Sequence, residues 1–183
     1  MKLIDVHQHL WDIDWFPPGH RMNFAIRAAL GRFPPRDPNE ILPRVGQGTY
    51  DAEGNLTIQN MDECGIDVAI VMMMDWGIPF LARGEPDAPT PIDEINRLGL
   101  SLRQKFPGRI YGFCGVDPRR EGALKLLERS VKEWGAIGYK PHPGQGYYAN
   151  DPMLFPFYMK CMELDVPVLI HTGASGKIGR AHV

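Results

Sequence analysis

Three histidines are placed where a divalent cation could be bound. His7 and His9 stand two residues apart in Ile4-Asp5-Val6-His7-Gln8-His9, at the end of a short apolar run. In a regular strand that spacing points both imidazoles to the same face. Converging neutral imidazoles suit Zn²⁺ or a similar divalent ion. His171 closes another apolar run, Val166 to Ile170. Three protein ligands with one position left for water or substrate is the usual catalytic zinc arrangement. The spacing alone equally describes surface or packed histidines, and only the recurrence at a second run's end lifts it above them.

Further polar groups lie at similar ends. Asp75 and Trp76 follow Asp67 to Met74, Asp117 follows Ile110 to Val116, and Lys140 and His142 follow Ala136. Lys140 could orient an anionic substrate group as a point charge, or simply reach solvent from a strand end. His142, in a Pro-rich turn, could bind substrate or support a metal shell; a structural histidine is equally in keeping. Asp75 could line a pocket or cap the next segment. Trp11, Trp15 and Phe16 could wall a substrate ring off from water, or belong to the core.

The elements that would position these groups alternate. Lys2–Val6 reads as a first strand. Residues 12–54 form a long Pro- and Gly-rich excursion, with a short helix expected over Asn23–Leu30. Excursions of this length inside a compact domain usually have a function. Thr57–Cys64 reads as a helix stopped by Gly65, and Asp67–Met74 as a strand covered on both faces. Helix Ile92–Phe106, strand Ile110–Val116, helix Gly122–Trp134, strand Ala136–Lys140, helix Met153–Leu164 and strand Val166–Ile170 follow. Strands separated by helices imply an α/β fold with a parallel sheet. No GxGxxG or GxxxxGK[ST] turn follows the first strand, as a doubly wound sheet would require. Chemistry gathered at strand ends instead predicts a TIM-type (β/α)8 barrel, of which about the first five β/α units are present.

Ile4-Asp5-Val6-His7-Gln8-His9 resembles the opening motif of the amidohydrolase superfamily. Gly138-Tyr139-Lys140-Pro141-His142-Pro143, Asp151-Pro152 and Val166-Pro167-Val168-Leu169-Ile170-His171-Thr172-Gly173 resemble its amidohydrolase-related branch. That branch includes aminocarboxymuconate semialdehyde decarboxylase, resorcylate decarboxylases and lactone hydrolases. The resemblance runs from Lys2 to about Gly173 and is weakest in the excursion. It implies His7, His9 and His171 as metal ligands and puts Lys140 where binuclear members hold a carboxylated lysine, although this branch is usually mononuclear. On the reading of the residues themselves, Lys140, His142, Trp11 and Asp75 are the expected substrate-binding residues. The implied cofactor is a divalent metal, Zn²⁺ first and Mn²⁺ second. Two further ligands of the family, after its sixth and eighth strands, have no counterpart in this sequence, and no catalytic acid or base is assigned. The expected function is a metal-dependent hydrolase or non-oxidative decarboxylase acting on a small carboxylated, aromatic-derived or lactone substrate. The alternatives are a metal-free lactonase and a non-catalytic binding protein on a degenerate barrel; metal content would separate them.

The net charge of −2 provides no field for nucleic acid or an anionic membrane, so a small-molecule partner is expected. The longest apolar stretch, Val68 to Met74, is too short to span a bilayer. Three cysteines without a CxxC pair suggest buried thiols in a reducing, cytoplasmic compartment. Ile178 to Val183 breaks the family pattern and matches what a sequencing-library adapter encodes. The expected division is therefore residues 1–177 as a partial barrel and 178–183 as a non-native tail, which removes His182 from the ligand candidates. Five strands cannot close a barrel, so the chain by itself is expected to lack turnover, and its full-length parent is expected to be a homo-oligomer.

Overall fold

The computed structural model describes residues 1–31, 34–45 and 50–172. The expected boundary at residue 177 lies outside the described residues. Three strands, β1 (Ile4–Gln8), β2 (Val68–Met72) and β3 (Ile110–Phe113), form a parallel sheet in the order β1-β2-β3. The fourth and fifth expected strands shrink to single parallel bridges, Cys114 with Tyr139 and Tyr139 with Val168. Their backbone bonds continue the ladder nonetheless: Lys140 N–H donates to Cys114 O at 2.7 Å, Leu169 N–H to Tyr139 O at 2.9 Å and His171 N–H to Pro141 O at 3.1 Å. Pro141 and Pro167 have no N–H to give, which limits regular strand pairing here. The strand succession is therefore that of a (β/α)-barrel wall.

Helices fill the connections. α1 (Pro18–Leu30) begins five residues before the expected start, with Pro18 inside its first turn, where the missing N–H costs nothing. The short α2 (Pro38–Ile41) follows it in the excursion. α3 (Asn55–Cys64) receives its N-terminal cap from Asp51, whose carboxylate accepts from Leu56 N–H and Thr57 N–H. Gly65 ends α3 at φ 70°, as its position in the sequence implies. α4 (Ile78–Leu81) is a single turn, and α5 (Ile92–Lys105), α6 (Ala123–Lys132) and α7 (Phe155–Glu163) cover the outer side.

Two apolar clusters make the core. Leu10, Trp15, Val71, Met73, Ile95, Leu102 and Ile110 join β2 and β3 to α5. Cys114, Leu127, Tyr139, Leu154, Phe157 and Cys161 join the later segments to α6 and α7. The thiols of Cys114 and Cys161 are buried as expected, and burial pushes them up to about 12 and about 11. Cys64 departs from the expectation: it ends α3 facing solvent.

β2 is covered on both faces, as its unbroken apolar run predicts. The crossing of β3's end over β2 is closer than side chains allow. A Cβ on Gly115 would lie 1.8 Å from the Met73 carbonyl oxygen. Asn96, fully buried in α5, pairs with the same glycine: its Nδ2 donates to Gly115 O and its Oδ1 accepts from Gly115 N–H, both at 3.0 Å. A backbone carbonyl cannot swing aside as a side chain can. Gly115→Ala is therefore expected to destabilise at the upper end of the overpacking range, about 3 kcal/mol. An unchanged urea midpoint would contradict this close approach.

Candidate functional site

β1 does not run regularly into its histidines. Ile4 pairs with Val68 and Asp5 with Ala69, but Gln8 pairs with Val71, so β1 carries one extra residue between Asp5 and Gln8. Such a bulge re-aims the side chains beside it. The Asp5 carboxylate accepts from His7 N–H at 3.0 Å within it. His7 and His9 then meet, with Nε2 to Nε2 at 3.2 Å. His9 Nδ1 lies 3.3 Å from Met72 O. A carbonyl can only accept, so that contact places the His9 proton on Nδ1 and leaves its Nε2 lone pair facing His7.

Burial, Met72 opposing it, holds His9 down at about 4, with His7, Lys140 and His171 adding repulsion. Burial and then Lys140 also lower His7. Both imidazoles are therefore neutral near pH 7, the form that binds a metal. Two nitrogens at about 2.0–2.1 Å from a tetrahedral ion are about 3.3 Å apart. The observed 3.2 Å fits two positions of such a shell, and the Met72 carbonyl supplies the orienting bond that metal-bound histidines usually have.

His171 lies close enough for its charge to act on His9. Its ring stacks on that of His142, centroids 4.0 Å apart, and His142 in turn meets Trp76 edge-on at 5.2 Å. Among the described residues, no three His, Cys, Asp or Glu side chains are grouped so as to hold an ion. The histidine pair of β1 is the part of a shell that is in place. His142 is buried, its N–H donating to Tyr147 Oη at 2.7 Å. Burial, then His171 and Lys140, push its ring down to about 3.

Lys140 is 2% exposed, and none of the described carboxylates pairs with it. Burial lowers its pKa. Its charge acts on His7, His9 and His142, which places the ammonium beside the imidazole group rather than in solvent. Trp11 also belongs to this group: its ring stacks on His9 at 4.7 Å and 15°. Trp15 instead lies in the core.

Asp75 has a structural occupation. Its carboxylate accepts from Arg120 Nε at 2.6 Å and Nη2 at 2.8 Å, from Asp117 N–H at 3.0 Å and from Gly77 N–H at 3.2 Å. Arg120 also reaches Asp87, Nη1 to Oδ2 at 2.7 Å. Asp117, likewise buried, holds Arg119 through two parallel bonds of 2.8 and 2.7 Å. Sequence reading left Arg119 and Arg120 unassigned. The signal was Asp117-Pro118-Arg119-Arg120 directly after a strand, with Asp75 at the neighbouring strand's end. Arg120→Met would strand Asp75 without its counter-charge, at a cost of about 3–5 kcal/mol. Arg120→Lys should rescue little, because one ammonium cannot fork to two carboxylates. Equal stability of Arg120→Lys and the unmodified chain in thermal unfolding would contradict this role.

His20 in α1 is a further, half-buried ring packed against Phe16, Phe24 and Trp76, and its Nε2 is buried without a hydrogen-bond partner among the described residues. Burial, then Arg27, hold it down at about 4, against 6.5 in an unfolded chain. The unfolded state thus takes up a proton first as pH falls, and stability drops between about pH 6.5 and 4. His20→Leu should flatten that decline by up to one proton, about 1.4 kcal/mol per pH unit. Urea midpoints at pH 7.0, 5.5 and 4.5 measure it; identical slopes would count against a neutral, half-buried His20.

Known proteins resemble the chain. The 2-keto-4-carboxy-3-hexenedioate hydratase of Sphingobium sp. (strain NBRC 103272 / SYK-6) is 38% identical over 90 residues, 44% of this chain and 26% of that protein. The structure of 4-oxalomesaconate hydratase from Rhodopseudomonas palustris matches with a TM-score of 0.52 at 22% identity, covering 93% of this chain and 52% of that one. The 2,6-dihydroxybenzoate decarboxylase from Rhizobium matches at 0.58 and 21%, covering 94% and 50%. At such identities the structural matches speak for the barrel fold alone. The chain spans about a quarter of the curated relative and about half of each solved one. A sequence profile of the amidohydrolase family matches residues 4–182, nearly the whole chain. With that match and the paired histidines at the end of β1, the chain belongs to the amidohydrolase family.

Proposed function

We propose that the protein is a divalent-metal lyase of this family, acting by hydration or by non-oxidative decarboxylation on a small carboxylated substrate. The observation that carries the reading is Lys140, a buried ammonium with no described carboxylate paired to it, beside neutral imidazoles. Isolated buried charge is costly. An arriving carboxylate relieves that cost and is oriented by the same contact. The hydratase and decarboxylase named among the relatives favour these two reactions over hydrolysis.

His7 and His9 would hold the metal, with His171 as the third histidine proposed from the sequence; Zn²⁺ suits imidazole ligands, and Mn²⁺ is the second choice. When bound, such an ion supplies Lewis-acid polarisation and lowers the pKa of water. The residues of the chain do the rest. The Met72 carbonyl fixes the His9 tautomer, Lys140 fixes the substrate's carboxylate, and Trp11 shields the His9 face from water. His142 is neutral at pH 7 and reaches substrate as a hydrogen-bonding group rather than as a charge.

Two substitutions test this with 2,6-dihydroxybenzoate as the carboxylate probe and Zn²⁺ alone as the metal probe. His7→Ala and His9→Ala should each weaken Zn²⁺ binding by about tenfold or more in calorimetry. Lys140→Met should leave Zn²⁺ binding in place and weaken the carboxylate by about ten- to a hundredfold, the worth of a charged hydrogen bond. It should also raise the unfolding temperature, since an uncompensated buried charge is removed. Lys140→Met binding the probe as well as the unmodified chain would contradict the proposal.

A further inference from the structure

Two buried carboxylates stand close to Lys140, and neither pairs with it. Asp117 lies just beyond the end of β3, and the segment carrying Lys140 is the next in the ladder, its N–H donating to Cys114 O. Asp75, Asp117, Lys140, His142 and Tyr147 line one cleft, too narrow to admit a water molecule. The two aspartates and the lysine are 5%, 3% and 2% exposed. At such burial an ammonium and a carboxylate attract each other strongly. A lysine stem is flexible, with a point charge at its tip. Left to themselves, these groups would form an internal ion pair and leave no cation for a ligand.

Two arginines stand in the way. Arg119 forks onto Asp117, Nε to Oδ1 at 2.8 Å and Nη2 to Oδ2 at 2.7 Å, and the Arg119 backbone N–H also donates to Oδ1 at 3.0 Å. Both oxygens of Asp117 are thus engaged. The same Nη2 donates to Gln145 O at 3.0 Å, and the guanidinium lies 5.3 Å from the centre of the Tyr147 ring. Arg119 is therefore held in place by the turn that follows His142. Arg120 occupies Asp75 in the same manner and reaches Asp87 as well. The two arginines engage all three aspartates, and Lys140 is the cation left over. A planar fork fits a carboxylate better than a single ammonium does, so the assignment of partners is stable.

We propose that Arg119 is a positioning residue that keeps Lys140 available to the substrate's carboxylate by occupying Asp117, the rival anion at the neighbouring strand end. It acts through Asp117 and Lys140 and not by contact with the substrate. The inference rests on the reading of Lys140 given under Proposed function. It gives the run Asp117-Pro118-Arg119-Arg120 a part in binding: the run decides which carboxylates are already engaged when the substrate arrives.

Calorimetry on the full 183-residue chain tests it, in buffer with chelator, using 2,6-dihydroxybenzoate and the neutral 2,6-dihydroxybenzamide as probes. Arg119→Gln keeps a hydrogen-bond donor beside Asp117 and removes the charge. It should weaken the carboxylate about ten- to a hundredfold, as Lys140→Met does, and leave the amide unchanged. Arg119→Gln/Asp117→Asn should restore carboxylate binding, because the rival anion is gone. A purely structural role for Arg119 predicts no recovery from that second loss. Asp117→Asn alone should bind the carboxylate at least as tightly as the unmodified chain. Arg119→Gln binding the carboxylate like the unmodified chain, equal weakening of both probes, or a loss that Asp117→Asn does not restore overturns the inference. Near-ultraviolet circular dichroism shows whether each variant folds. If Arg119→Gln does not, Asp117→Asn decides: retained carboxylate affinity supports the inference, and a loss of about tenfold overturns it. If Lys140→Met weakens the carboxylate and Arg119→Gln does not, this inference falls and the reading of Lys140 survives. If Lys140→Met binds the carboxylate like the unmodified chain, that reading falls and the inference falls with it.

Discussion

Arg120 donates to Asp75 and Asp87 at once, and Asp75 also accepts the Asp117 N–H, so the loops leaving β2 and β3 are fixed to each other through one guanidinium. Parallel strands give no hairpin to register neighbouring loops, and each loop leaves its strand independently. A buried fork supplies the missing registration. Trp76 follows Asp75 directly and touches His142, His20 and Trp11, so its position depends on that ion pair. The aromatic wall beside the histidines therefore stands on a salt bridge. A buried ion pair is weak evidence for net stability; here its geometric role is the larger one.

Much of this was legible from the sequence, and the parts that were not share a cause. The unbroken run Val68 to Met74 could only be a strand covered on both faces, and Gly65 could only end a helix. Strand-end chemistry selected the barrel over the doubly wound sheet, and the family match and fold agree with it. Periodicity could not show the bulge in β1, because one extra residue leaves the composition unchanged while redirecting His7. Nor could it foresee that Pro141 and Pro167 would reduce two strands to bridges. Asp75 stood at the end of a strand like the other site candidates, and only its partner, 45 residues away in the chain, shows that its carboxylate is engaged by an arginine. The excursion, least regular in sequence, gained its meaning from contacts between residues as distant as Trp11 and Trp76. Long-range pairing of that kind leaves no local signature.

The site itself is a contrast of charge states. Burial keeps His9 and His142 neutral near pH 7, while Lys140 brings a positive charge to the same group. Neutral imidazoles are available as ligands and acceptors, and the cation is available for an anion. A core selected for stability would have replaced the lysine, and its retention in a buried position fits the usual exchange of stability for function. The buried Trp76 indole N–H, without a hydrogen-bond partner among the described residues, belongs to the same pattern.

The central claim is that β1 presents two neutral imidazoles whose Nε2 atoms face each other closely enough to share one cation, with the His9 proton held on Nδ1 by Met72. Imidazole ¹⁵N NMR of the chain at pH 7, with and without one equivalent of Zn²⁺, tests it most directly. The account predicts that His9 is the Nδ1–H tautomer before metal is added, and that Zn²⁺ shifts the Nε2 resonances of His7 and His9 together. A His9 protonated on Nε2, or Nε2 resonances indifferent to Zn²⁺, would contradict it.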